Sequence, residues 1–211
     1  MAVPDEMRPP PGGGRRSAIL VLFGTDQPTG PDLLLVQRSQ SLRRHAGQPA
    51  FPGGVIDPGD DGPVGAALRE AAEEAGVDPD GVDIVGVLPD LYIERSGYQV
   101  SPVLGWWRTP VPVAPGDPAE IAAVARVPVT ELASPSHRLM IKYPNGTAGP
   151  AFRVGTMLIW GFTAHLIGRL LALGGWELPW DTSQVMELPL TGVPAASAQG
   201  GDPFGTPASR R

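Results

Sequence analysis

Residues Phe51–Val77, FPGGVIDPGDDGPVGAALREAAEEAGV, run from a glycine pair into a segment with the marks of a helix. Pro63 suits a first helical turn, Ala66, Ala67, Leu68, Ala71, Ala72 and Ala75 tolerate or favour the helical backbone, and Gly76 suits its end. Glu70, Glu73 and Glu74 are three and four positions apart, so at 3.6 residues per turn their carboxylates project from one side of that helix. Like charges at this spacing cost an isolated helix about 0.2–0.5 kcal/mol per pair, and the arrangement calls for solvent screening or a cation. Arg69, four residues before Glu73, relieves part of the repulsion. Gly53 and Gly54 permit a tight bend and close approach of main chain to a phosphate or metal.

An isolated E-x-x-E-E string reads as an ordinary solvated face. Here its surroundings say otherwise. The run resembles the Nudix box, G-x5-E-x7-R-E-U-x-E-E-x-G-U with U apolar: Arg69, Glu70, Ala71, Glu73, Glu74, Gly76 and Val77 match the second half position for position. In the first half, Gly54 stands fifteen residues before Arg69 where the box has fourteen, and Asp60 or Asp61 replaces the early glutamate. Upstream, Leu34, Leu35, Val36, Gln37, Arg38, Ser39, Arg43, Gly47 and Phe51 to Gly54 fit L-L-T-x-R-S-x3-R-x3-G-x3-F-P-G-G except at Val36. This longer signature is similar to that of the coenzyme A pyrophosphatase subgroup, as are GYQVSPVLG (Gly97 to Gly105) and IWGFTAHLI (Ile159 to Ile167). The likeness spans about Ser17 to Leu173.

The resemblance implies an α/β sandwich, a mixed β-sheet between helices, and hydrolysis of a nucleoside diphosphate linkage. Coenzyme A or an acyl-coenzyme A is the substrate it favours, giving phosphopantetheine or its acyl form and adenosine 3′,5′-bisphosphate. ADP-ribose, a nucleoside triphosphate, or a non-catalytic nucleotide-binding role are the alternatives. Splitting a diphosphate requires charge neutralisation, a hydroxide and in-line attack, and hard divalent cations serve all three. An oxygen-rich, cysteine-free site suits magnesium or manganese better than zinc. Glu70, Glu73 and Glu74 are the expected metal ligands, with the Gly54 carbonyl a further oxygen by resemblance. Arg69 is expected to orient a carboxylate. The general base is open between a glutamate of the box and one from a later loop, for which Glu120 is the best candidate. Arg38 and Arg43 are expected to recognise substrate phosphates, with Gly53 and Gly54 beside them. His45, His137 and His165 lack metal-ligand spacing.

With 211 residues, 42% of them hydrophobic, the chain suffices for one well-cored domain, expected over residues 17–190. A net charge of −6 argues against nucleic-acid or anionic-membrane partners, so the expected partner is a small diphosphate compound; a homodimer is admitted. The absence of cysteine removes thiolate catalysis and disulfides and fits a reducing cytoplasm. No apolar signal core is visible near Met1. Residues 1–16 and 191–211, rich in Pro, Gly and small residues, are expected to be mobile tails.

Between the tails, Ser17–Gly24, Leu33–Gln37, Asp83–Leu88 and Tyr98–Leu104 read as strands. Ala119–Ala125 reads as a short helix or turn, Val127–Leu132 as a strand leading to a turn, and Arg138–Lys142 with Phe152–Gly155 as a hairpin turning at Asn145-Gly146. Met157–Leu173 reads as a packed amphipathic helix, too short and too polar at His165 and Arg169 to span a bilayer.

Overall fold

The computed structural model describes residues 7–10, 12–42 and 45–188. Its first half builds an eight-stranded mixed sheet from β1 (Arg15–Gly24), β2 (Asp32–Arg38), β3 (Pro49–Ala50), β4 (Gly53–Val55), β5 (Val82–Val87), β6 (Leu91–Ile93), β7 (Tyr98–Trp107) and β8 (Ile121–Pro128), with helix α1 (Gly62–Ala75) between β4 and β5. The second half contributes α2 (Val129–Ala133), β9 (Arg138–Lys142), β10 (Ala148–Val154), β11 (Met157–Ile159), α3 (Gly161–Leu173) and β12 (Val185–Glu187). Strands β9 to β12 form a separate four-stranded sheet.

The centre of the large sheet is the parallel pairing of β1 with β7, in register from Arg15↔Tyr98 to Phe23↔Trp106. β2 and β4 flank β1 in antiparallel sense, and β8 runs antiparallel to β2. Side chains of a strand alternate between faces, and β1 shows both faces buried. Ala18, Leu20 and Leu22 join Leu34, Val36, Val103 and Trp107 beneath α1, whereas Val21 joins Leu33, Leu35 and Phe51 beneath α2 and α3. The result is the expected α/β sandwich with a mixed sheet between helices.

α1 lies close on the sheet because Ala66, Ala67, Ala71 and Ala75 give it a buried stripe of small side chains. Gly76 ends it in the left-handed conformation, φ 71°, returning its N–H to the Ala72 carbonyl at 3.0 Å. That is the glycine stop expected of the sequence.

Three expectations are corrected. Ala119–Ala125 is neither helix nor turn beyond Glu120: Ile121–Pro128 is strand β8, its alanines paired across β2, as in Leu35↔Ala125 and Gln37↔Ala123. Pairing with an available sheet edge outweighs the helix propensity of alanine. Val127–Leu132 is divided at Pro128, which lacks an N–H to extend the ladder and stands before α2. Met157–Leu173 divides likewise, β11 ending at Ile159 and α3 beginning at Gly161, where φ is 65°. The first strand also starts at Arg15, and Met7 is buried against the α3-side core, 1% exposed. The expected tail at 191–211 and the expected phosphate-binding Arg43 lie outside the described residues. No helix among the described residues is long and apolar enough to cross a membrane. The hairpin of β9 and β10 turns at Asn145-Gly146, with Gly146 at φ 87°.

One buried charge cluster ties the sheet together. Asp32, 1% exposed at the start of β2, accepts from Arg126 Nε at 3.0 Å and Nη2 at 2.7 Å across the β2–β8 pair. Asp26 accepts from the same guanidinium, and Arg126 stacks 4.9 Å from the Trp107 ring centroid. Removing one partner of a buried pair strands the other charge. Arg126→Met should therefore lose about 3 kcal/mol or more in urea unfolding, and adding Asp32→Asn should recover part of that loss.

Candidate active site

The glutamates of α1 face β4. Gly53 and Gly54 pair with Ile19 and Ala18 of β1, which sets the glycine pair against the helix. A Cβ on Gly54 would lie 2.2 Å from Glu70 Oε1, so a side chain there would push the Glu70 carboxylate out of its present place. On the next position, the Gly53 N–H donates to Glu74 Oε2 at 3.1 Å. The adjacent glycines of the sequence thus have separate duties, one to give room to Glu70 and the other to hold Glu74.

Arg69 gathers the acidic groups around the helix start. Its Nε and Nη2 donate to the two oxygens of Asp60 at 2.9 and 3.0 Å, its Nη2 also to the Val55 carbonyl at 3.1 Å, and Asp57 lies 3.8 Å away. Nη1 donates to Glu70 at 3.0 Å and Glu73 at 3.4 Å. These bonds hold the Asp60 carboxyl below its ordinary pKa, the Arg69 hydrogen bond being the main cause, and the guanidinium is correspondingly harder to deprotonate. Of the two aspartates standing near the early acidic position, Asp60 is the one bound to Arg69.

Glu74 is buried, 8% exposed. Desolvation raises its pKa to about 7, opposed by the Gly53 N–H and by Arg38, whose Nη1 is 3.7 Å away, and reinforced by Glu70 and Glu120. Desolvation also raises Glu70, with Arg69 pulling the other way. Glu73 is 61% exposed. Among the described residues, no three His, Asp or Glu side chains converge as a ready-made metal cage. Glu70 and Glu73 instead share one guanidinium nitrogen, and Glu74 is buried with less positive charge than its ionised form demands. An all-oxygen donor set, a bare main chain at Gly54 and an under-compensated buried carboxylate fit a hard divalent cation.

Glu120 arrives from the segment between β7 and β8. Ala114 and Gly116 donate their N–H groups to the carbonyls of Ala75 and Glu74 at 3.2 and 3.1 Å, satisfying acceptors that the end of α1 leaves open. A Cβ on Gly116 would lie 1.8 Å from the Glu73 carbonyl oxygen. This loop therefore rests directly on the last turn of α1 and brings Glu120 within electrostatic range of Glu74. Of the expected site residues, Arg38, Gly53, Gly54, Arg69, Glu70, Glu73, Glu74 and Glu120 share this one region. Sequence reasoning left Gly116 unmarked; its only signal was a glycine within a proline-rich loop.

Comparison with known proteins identifies the family. The profile of the NUDIX domain matches residues 13–144. The chain belongs to the Nudix family. It is 40% identical over 156 residues to the Nudix hydrolase NudL of Cronobacter sakazakii, covering 71% of this chain and 78% of that protein. To NudL of Escherichia coli K12 it is 36% identical over 153 residues, covering 66% and 73%. Among solved structures, the Nudix hydrolase RenU of M. smegmatis superposes with a TM-score of 0.56 at 19% identity, covering 84% of this chain and 99% of that one, a likeness of fold. The protein is accordingly a Nudix pyrophosphohydrolase, and Nudix hydrolases generally use divalent metal ions.

The raised pKa of Glu74 has a definite sign in stability. Below about pH 4.5 the carboxyl is protonated in folded and unfolded chains alike; between there and pH 7 only the unfolded chain ionises, so metal-free stability falls as pH rises. Glu74→Gln should stabilise the metal-free protein at pH 8 relative to pH 4 by up to about 3 kcal/mol, read by chemical denaturation at both pH values.

Proposed function

We propose that this Nudix hydrolase cleaves the diphosphate of coenzyme A or its acyl derivatives with magnesium or manganese. The observation that carries the chemistry is the buried Glu74 carboxylate, tied to the Gly53 N–H beside the room that Gly54 leaves for Glu70. The substrate assignment is supported by the run from Leu34 to Gly54, which fits the coenzyme A pyrophosphatase signature and ends β2 with Arg38, 3.7 Å from Glu74.

In this reading Glu70, Glu73, Glu74 and the Gly54 carbonyl hold the cation, which when bound supplies positive charge against the diphosphate oxygens and acidifies water. Arg69 orients Glu70 and Glu73 while Asp60 fixes Arg69. Glu120 takes the proton of the attacking water. A bond forms between the water oxygen and phosphorus, and the bridging P–O bond breaks. The products are phosphopantetheine, or its acyl form, and adenosine 3′,5′-bisphosphate. Arg38, with Arg43, binds substrate phosphate; a guanidinium presents paired donors suited to phosphoryl oxygens. A chain without cysteine is compatible with the reducing cytoplasm, the setting this reading assigns.

The deciding assay presents free, acylated and oxidised coenzyme A, ADP-ribose and nucleoside triphosphates with magnesium or manganese and identifies products by mass. Coenzyme A compounds should have the highest kcat/KM and yield adenosine 3′,5′-bisphosphate; preference for ADP-ribose or a triphosphate would overturn the assignment. Glu73→Gln and Glu74→Gln should each lower kcat about a hundredfold or more. Gly54→Ala should lower turnover with the circular dichroism spectrum unchanged, because its methyl group displaces Glu70.

A further inference from the structure

We propose that Ser39 and Ser41 are positioning residues for Glu120, acting as a hydroxyl staple between the end of β2 and the loop that carries this glutamate. The inference rests on the reading of Glu120 as general base. The Glu120 side chain is exposed, and the main chain beneath it fixes the point from which that side chain starts. That main chain is held on two sides. The Ser39 N–H donates to the Glu120 carbonyl at 2.7 Å, and Ser41 Oγ donates to the preceding carbonyl, Ala119, at 3.3 Å.

The two hydroxyls complete one another. The two Oγ atoms also lie 2.8 Å apart, a hydrogen bond that Ser39 donates when the Ser41 proton is on the Ala119 carbonyl. The Ser41 N–H in turn donates to Ser39 Oγ at 3.3 Å. Two consecutive carbonyls of the glutamate loop are thereby held from Ser39, which directly follows Arg38, and from Ser41.

From the opposite side, the Asp117 carbonyl accepts the N–H groups of Glu120 and Ile121 at 2.9 and 2.8 Å, and Asp117 Oδ1 accepts that of Ala119 at 2.8 Å. One residue earlier, Gly116 is bonded to the Glu74 carbonyl. The path from Glu74 through Gly116 and Asp117 to Glu120 is therefore closed on β2 by the serines. The register shift between Gln37 and Arg38 leaves Ala122 of β8 unpaired beside the point where the staple begins. A base must lie within hydrogen-bond reach of the water it deprotonates, and small displacements of such a group slow the chemical step without weakening substrate binding.

The test combines kinetics with hydrogen exchange on the full chain. Ser41→Ala should lower kcat about tenfold with KM little changed. Ser41→Thr, which keeps the hydroxyl, should restore the rate. In a Glu120→Gln background, Ser41→Ala should produce no further fall. In the metal-free protein, Ser41→Ala should speed amide exchange over residues 117–121 while α1 keeps its protection. The proposal is overturned if Ser41→Ala slows Glu120→Gln and wild type by the same factor, or leaves exchange over 117–121 unchanged. A wild-type rate for Glu120→Gln would instead remove the base assignment, and the positioning role with it, whereas a slowed Glu120→Gln with no coupling to Ser41 removes the positioning role alone.

Discussion

Glu74 binds three parts of the molecule at once. Its carboxylate accepts the Gly53 N–H of β4 and faces Arg38 at the end of β2, and its carbonyl accepts the Gly116 N–H of the loop beyond β7. Each attachment joins a different stretch of chain to the last turn of α1, so the relative placement of the acidic groups depends on this residue. Its position is also electrostatically expensive. Burial raises the pKa of the carboxyl, and a neutral side chain would avoid that cost. Divalent-metal hydrolysis gives the arrangement a use that stability alone does not.

Charge around the site is balanced locally. Arg69 donates to Asp60, Glu70 and Glu73 and to the Val55 carbonyl, so a single guanidinium links the start of α1, its middle and the strand before it. Lysine could not do this, because a point charge lacks the planar set of donors. The chain as a whole is acidic, and Glu70 and Glu73 already meet at one guanidinium nitrogen of Arg69.

The parts of the fold that could be read from sequence were those where local pattern and tertiary role coincide. α1 has favourable residues, a proline in its first turn and a glycine stop, and all three retain those roles in the structure. β1 and β2 are apolar on both faces because helices cover both, which makes continuous apolar runs legible. β8 was hidden because its alanines favour a helix in isolation and become a strand only through β2. The break between β11 and α3 was hidden in the same way, since Ile159, Trp160 and Gly161 leave the apolar run unbroken while the backbone turns. At the site, the glutamates, the glycine pair and Arg69 were visible as a spaced motif. Asp60 as the partner of Arg69, and Gly116 as the seat of the Glu120 loop, were not, because both depend on distances across the chain.

The parallel pairing of β1 with β7 joins segments about 80 residues apart. The glycine pair and the whole of α1 lie inside the loop that this pairing closes. Closing so long a loop costs entropy before native contacts repay it, which makes the central sheet a slow element to assemble. During synthesis the nascent chain exposes its acidic helix well before β7 emerges from the ribosome. Chemical competence is therefore a late event in the life of each new molecule, gained only after the second central strand and the loop beyond it have docked and not when the motif itself has been translated.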